Sequence, residues 1–170
     1  DQVIGITKAY VTRVGEGPFP TELLDEMGEN LRAAGHEFGA TTGRPRRCGW
    51  LDIVALREAV RVNGLTGLAL TKMDVLNDLE TIKVCTAYRC GDQLLTNFPS
   101  DLDVLQECVP VLEDVAGWQT SINEVKNFEE LPQQAIDYVK QIEAWAGVPV
   151  VLVSVGPRRD ETMLRSNPFG

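Results

Sequence analysis

Two short strings hold the residue types best suited to reading a ligand. Thr71-Lys72-Met73-Asp74 closes an apolar run, and Gly39-Ala40-Thr41-Thr42-Gly43-Arg44-Pro45-Arg46-Arg47 lies in a glycine-rich stretch. Guanine presents its N1–H and exocyclic amine side by side, and a carboxylate accepts through two oxygens. Asp74 therefore suits the guanine edge, whereas adenine has no hydrogen at N1 and would leave the acid unpaired. Sites built on buried hydrogen-bonding groups discriminate by roughly 10⁴–10⁵-fold. The methylene stem of Lys72 suits a purine face. The second string offers hydroxyls at Thr41 and Thr42, and planar cations at Arg44 and Arg46 that match carboxylates bidentately. Gly39 and Gly43 flank the two threonines, and Pro45, with its fixed φ, lies between the two arginines.

What is absent narrows the chemistry. The phosphate cradle G-x-x-x-x-G-K-[ST] does not occur, and no Gly-Lys dipeptide exists. A base reader without that cradle points to part of an enzyme. The net charge of −9 makes the arginine-rich string a local positive spot on an acidic body. That balance argues against nucleic acid and acidic membranes as partners. Four cysteines without a C-x-x-C pair, beside one histidine, read as reduced thiols rather than a zinc site. His36 matches no catalytic pattern; solvent exposure or a local hydrogen bond is expected of it. No apolar run approaches the roughly 18 residues of a membrane span.

These strings need elements to hold them. Val3 to Val14 reads mostly as strand, broken by Gly15-Glu16-Gly17-Pro18-Phe19-Pro20. Thr21 is expected to cap a helix with Leu23, Leu24, Met27, Leu31 and Ala34 on one face and Gly35 as terminator. Gly35 to Gly49 has no periodicity and reads as a functional loop. Asp52 is expected to cap a helix ending at Asn63-Gly64, and Leu68-Ala69-Leu70 to be a buried strand that delivers Lys72 and Asp74. Ile82 to Tyr88 is a further strand. Leu94 to Phe98 and Val109 to Val115 read as short strands around a helix near Asp101 to Gln106. The last helix starts at Pro132, carries Ala135, Ile136, Val139, Ile142 and Ala146, and stops at Gly147. Val150 to Val153 then reads as a strand of a parallel sheet, ending at Ser154-Val155-Gly156. The expected class is α/β: part of a mostly parallel sheet with flanking helices. Ser154 and the backbone near Gly156 would meet the guanine O6 from that second strand end.

The string [NT]-K-x-D resembles the base-specificity element of GTP-binding proteins. Over most of its length the chain resembles adenylosuccinate synthetase. The residues that carry the resemblance are Thr12-Arg13-Val14-Gly15, Gly17 to Glu22, Glu37 to Arg47, Gly49-Trp50-Leu51-Asp52 and Leu70 to Leu76. Gly156-Pro157 and Glu161-Thr162-Met163 also fit. The resemblance implies GTP-driven joining of L-aspartate to inosine monophosphate (IMP), in the cytoplasm, by a homodimer. It implies that residues 1–170 are one C-terminal portion, P-loop-NTPase-like in fold but lacking the N-terminal P-loop half. Ala40, Thr41, Thr42, Gly43, Arg44, Pro45 and Arg46 would then form the aspartate loop, with Arg44 also near the IMP ribose. Arg46, Lys72, Met73, Asp74, Ser154, Val155 and Gly156 would bind GTP. The catalytic base and acid and the Mg2+ site would belong to the missing part, leaving this portion inactive alone. A non-enzymatic guanine-nucleotide module is the alternative, and it leaves Thr41, Thr42, Arg44 and Arg46 without a role.

Overall fold

A computed structural model describes residues 2–167; Asp1 and residues 168–170 of the expected span lie outside them. The chain opens with β1 (Ile4–Lys8) and β2 (Val11–Arg13), followed by α1 (Glu26–Ala34). Next come β3 (Arg47–Gly49), β4 (Leu51–Asp52) and α2 (Ile53–Asn63). β5 (Gly67–Thr71) runs into a 3-10 turn at Met73–Leu76. β6 (Thr81–Cys90), β7 (Gln93–Leu95), α3 (Leu102–Glu107) and β8 (Val109–Ala116) fill the middle. α4 (Gln133–Ala146), β9 (Val150–Ser154) and β10 (Thr162–Leu164) finish the described chain.

The expectation of an α/β architecture holds, but the strands divide between sheets. One sheet has the order β1-β5-β9-β10, in which β1, β5 and β9 are mutually parallel and β10 is antiparallel. A second is built around β6, which pairs antiparallel with β7 and β8 and parallel with β4. β2 and β3 form a separate antiparallel ribbon. "Mostly parallel" therefore describes the first sheet alone. β5 is buried along four of its five residues, as a strand covered on both faces must be. β9 is likewise interior, since β10, which the sequence did not announce, covers its second side. The outermost parallel strand is β1, where Ile6 is 81% exposed.

Local chemistry explains most element ends. Asp52 caps α2 by accepting from the Ala55 N–H at 3.0 Å, and Gly64 ends it at φ 59°. α4 follows Pro132 and ends at Gly147 with φ 77°, burying Ala135, Val139, Ile142 and Ala146. Thr21, however, is not a cap. Asp25 caps α1 instead, through Gly28 N–H, and the chain from Thr21 to Leu24 runs beside β3. There the Leu23 N–H donates to Cys48 O and the Trp50 N–H to Thr21 O. Leu24, expected on the buried face, is 91% exposed. Backbone pairing to β3 outcompeted one extra helical turn. The strand expected at Leu94–Phe98 is shifted to Gln93–Leu95 by the tight turn at Gly91, φ 56°.

The main core lies between the first sheet, α2 and α4, with Leu68, Leu70, Val150, Val153, Tyr138 and Ile142 buried together. Tyr138 donates to Ala9 O at 2.8 Å, which ties α4 to the turn after β1. Asn77 ties down the segment that follows Asp74. Its Oδ1 accepts from Trp118 Nε1 at 3.1 Å and Ile122 N at 3.3 Å, and its amide donates to Asn123 Oδ1 at 2.8 Å. Asn77→Ala should lower stability by about 2 kcal/mol, because it strands two donors that have no other acceptor there. Chemical denaturation checks this, with Asn77→Asp, which keeps the acceptor, expected to lose less.

Candidate functional site

The carboxyl ends of β5 and β9 are adjacent because the strands are hydrogen-bonded neighbours, with Leu70 opposite Val153. Beyond them lies a cavity of about 240 Å3 lined by Gly35, His36, Thr71, Lys72, Asp74, Ser154 and Gly156, among others. The ends of parallel strands are where open α/β sheets bind ligands. Lys72, Asp74, Ser154 and Gly156 thus converge as the sequence required. Among the described residues, three non-glycine positions have positive φ, and two of them, His36 at 50° and Lys72 at 62°, line this cavity. That conformation costs of order 1–3 kcal/mol and persists only where the surroundings enforce it. At Lys72 it turns the chain from β5 into the 3-10 turn that carries Asp74.

Asp74 is half-buried and has no side-chain or ionic partner among the described residues. Burial pushes its carboxyl above the usual range; its own backbone N–H and the Lys72 charge oppose this, and Glu161 adds to it. Lys72 is held elsewhere: its Nζ donates to Gly35 O at 2.5 Å and lies 3.6 Å from Glu37 Oε1. Ser154 donates its hydroxyl to Gly156 O at 2.8 Å, and the Val155 N–H donates to Glu161 O at 2.9 Å. Of the groups expected to face a purine O6, the Gly156 N–H is the donor without an assigned protein acceptor. A side chain at Gly156 would meet the buried Glu161 carboxylate, which would have to move to admit it. Met73 and Val155 point into the core rather than the cavity. Their part in the site is limited to the backbone they contribute.

The arginine-bearing loop is a hairpin. Phe38 pairs with Pro45, the Gly39 N–H donates to Arg44 O, and the Arg46 N–H donates to Glu37 O. Gly43 turns the tip at φ 64°. Gly39 has no positive φ, and a Cβ there would meet the Thr42 hydroxyl at 2.7 Å, an exposed group free to turn away. Ala40, Thr41, Thr42, Gly43, Arg44 and Pro45 are exposed and do not line the cavity. The three arginines have separate settings. Arg44 carries no side-chain bond to the described residues, Arg46 is held by Glu37, and Arg47 clasps Glu22 and the carbonyls of Gly15 and Gly17. Arg47 is thus structural.

Glu37, which sequence reasoning quoted but did not single out, is the hub. Its side chain is fully buried and accepts from Lys8 Nζ at 2.7 Å, Tyr10 OH at 2.5 Å and Arg46 Nη1 at 2.6 Å. Burial alone would raise this carboxyl. The bonds from Lys8, Tyr10 and Arg46, and the charge of Lys8, reverse that and bring it down to about 2. The same acid pushes the Tyr10 hydroxyl far up, though burial is the larger cause. An acid beside a basic cluster is common in sequences, so nothing marked Glu37 before its four partners were brought together.

At the ends of two parallel strands, a half-buried carboxylate lines a crevice on one side of an α/β fold that also carries an arginine hairpin. The family model described as adenylosuccinate synthetase matches residues 1–163. The chain belongs to the adenylosuccinate synthetase family. The synthetase of Syntrophotalea carbinolica is 66% identical over 169 residues, covering 99% of this chain and 39% of that protein. That of Geobacter sulfurreducens is 62% identical over 168 residues, with the same shares. A solved structure of fully ligated adenylosuccinate synthetase from Plasmodium falciparum superposes with a TM-score of 0.93 at 40% identity. It covers 98% of this chain and 40% of its own. The chain therefore spans about two-fifths of the length of these relatives. The shares covered give the extent of the matched span and do not carry the expected C-terminal placement. Among the described residues, no helix is long and apolar enough to cross a membrane.

An ordinary glutamate titrates near 4.5, and Glu37 is depressed to about 2. Its contribution to stability is therefore complete above the ordinary value and is lost as pH falls through the depressed one. Glu37→Gln should cost about 2 kcal/mol or more at neutral pH, the scale of hydrogen bonds to charged groups. Urea denaturation across a pH series should show the gap between wild type and variant shrinking as pH drops from about 4.5 towards 2.

Proposed function

We propose that this chain supplies the guanine-reading and aspartate-holding parts of a GTP-dependent ligase that joins IMP and L-aspartate into adenylosuccinate. The observation that carries this reading is Asp74. It is a half-buried carboxylate with no ion-pair partner among the described residues, lining a cavity with Lys72, Ser154 and Gly156. Its two oxygens would accept from the guanine N1–H and exocyclic amine. The Gly156 N–H would donate to O6, and the Lys72 stem would lie along the purine face. The family membership supports the reaction class, purine biosynthesis and the three substrates.

The hairpin would hold the amino acid. Thr41 and Thr42 lie exposed near its tip beside Arg44, whose guanidinium has no competing partner among the described residues. Arg44 would take the aspartate carboxylate in a planar fork and approach the IMP ribose. Arg46, already neutralised by Glu37, would orient the foot of the hairpin and reach the nucleotide from the side of Lys72. Closure of the hairpin over aspartate would exclude water from the reacting atoms.

The chemistry of phosphoryl activation would be supplied elsewhere. In this reading GTP phosphorylates the IMP 6-oxygen and the aspartate amine displaces that phosphate. The described residues bring together no group of three His, Cys, Asp or Glu side chains able to hold a metal. We place the phosphate loop, the metal and the catalytic acid and base in the remaining three-fifths of the family's length. The parallel strands β1, β5 and β9 would then be one flank of a P-loop-NTPase-like sheet, extended beyond β1 by the remainder. The whole enzyme would be a cytoplasmic homodimer, and this chain alone would be inactive.

Two substitutions in the full-length protein test the assignments. Asp74→Asn should raise the KM for GTP by about 100-fold or more and make xanthosine triphosphate the better substrate. The amide donates where xanthine carries a carbonyl; an unchanged base preference would remove Asp74 from the reader. Arg44→Leu should raise the KM for aspartate at least about tenfold more than that for GTP, as loss of a charge-assisted fork predicts. Equal effects in steady-state kinetics would make the hairpin merely structural.

A further inference from the structure

Three of the four cysteines gather away from the nucleotide cavity. Cys85 and Cys108 are buried in a second apolar cluster with Val54, Tyr88 and Leu105, and Cys90 packs against it. All are free thiols. β6 and β8 pair antiparallel as far as Arg89 opposite Val109. The next residues outward, Cys90 on one strand and Cys108 on the other, therefore face each other across the end of the ladder. Opposed residues in such a ladder have Cα atoms about 4.5–5.5 Å apart, inside the range that a disulfide spans. Strand alternation puts Cys90 on the face of Tyr88, towards the cluster. Cys90 is also close enough to act on the Cys108 thiol, which it helps push up.

The remaining thiols are placed differently. Cys48 is fully buried in the main core, and Cys85 is fully buried with its sulfur 3.2 Å from Ala87 O. Cys90 is only half-buried, whereas Cys108 is 8% exposed and leans on Val104 O at 3.3 Å. Cys90 is thus the more accessible residue of the pair and Cys108 the more buried one.

We propose that Cys90 and Cys108 form a reversible dithiol–disulfide couple, oxidised by small disulfides of the glutathione class. The Cys90 thiolate, its proton given to solvent, attacks one sulfur of the small disulfide. That S–S bond breaks, one small thiol leaves, and a mixed disulfide remains on Cys90. Cys108, deprotonated in turn, attacks the Cys90 sulfur and expels the second small thiol. Two protein thiols are oxidised and one small disulfide is reduced to two thiols. Burial, and after it the neighbouring Cys90, pushes the Cys108 thiol up.

The bond would join the end of β6 to the residue that ends α3, closing residues 91–107 into a loop. That loop carries Phe98 and Leu105, one wall of a cavity of about 210 Å3 whose other lining includes Thr12, Arg13, Asp52 and Tyr88. Thr12 and Arg13 pair with Cys48 and Arg47 at the foot of the arginine hairpin. Oxidation would therefore clamp the wall that faces the ribbon supporting the hairpin.

Full-length protein titrated with oxidised glutathione, then followed by intact mass and peptide mapping, tests this. Wild type should lose two hydrogens and yield one Cys90–Cys108 cross-linked peptide, reversed by dithiothreitol, with cleavage by protease within residues 91–107 slowed. Cys108→Ser should stop at a persistent mixed disulfide on Cys90, and Cys90→Ser should leave Cys108 unmodified. A wild type that halts at the mixed disulfide, stays reduced throughout, or cross-links Cys85 instead would overturn the proposal.

Discussion

A single buried carboxylate sets the arrangement of the charged groups around the candidate site. Glu37 takes bonds from Lys8 at the end of β1, from Tyr10 in the turn beyond it, and from Arg46 at the foot of the hairpin, with Lys72 nearby. Burying an anion is costly unless it is paired and hydrogen-bonded, and removal of one partner leaves an uncompensated charge. Here the partners prevail over desolvation, since the group is held below the ordinary carboxylate range. The consequence falls on Asp74. With the nearby cations engaged by Glu37 or by Gly35 O, the Asp74 side chain is left without an ion-pair partner among the described residues.

The apolar core turns that electrostatic arrangement into geometry. β5 and β9 are buried and parallel, so their tips cannot separate without exposing the strands between β1 and β10. The left-handed turn at Lys72 and the buried Met73 and Leu76 then fix where Asp74 stands, and Asn77 anchors the following residues to the segment around Trp118. The hairpin is different in kind. Its foot is held by Glu37 and its tip is exposed.

Much of this was legible from residue patterns. The strand ends at Asp74 and Ser154, the caps at Asp52 and Gly64, and the stripe of α4 all follow from short-range rules. What stayed hidden depended on partners distant in sequence. Glu37 became a hub only when Lys8, Tyr10, Arg46 and Lys72 met in space. Thr21 had every local mark of a cap, yet pairing with β3 claimed its backbone. β10 is three residues long with a single buried side chain, so period-two alternation had too little length to show. Ser154 was placed correctly, but its hydroxyl is directed to the Gly156 carbonyl, which no spacing argument could reveal.

The measurement that bears most directly on the central claim is a structure of the full-length protein with a guanine nucleotide bound. The account predicts guanine N1 and N2 each about 2.7–3.1 Å from one Asp74 oxygen, the range of good hydrogen bonds. It also predicts Glu37 still bonded to Lys8 and Arg46. A nucleobase seated elsewhere, or Asp74 ion-paired to a protein cation in the complex, would contradict it.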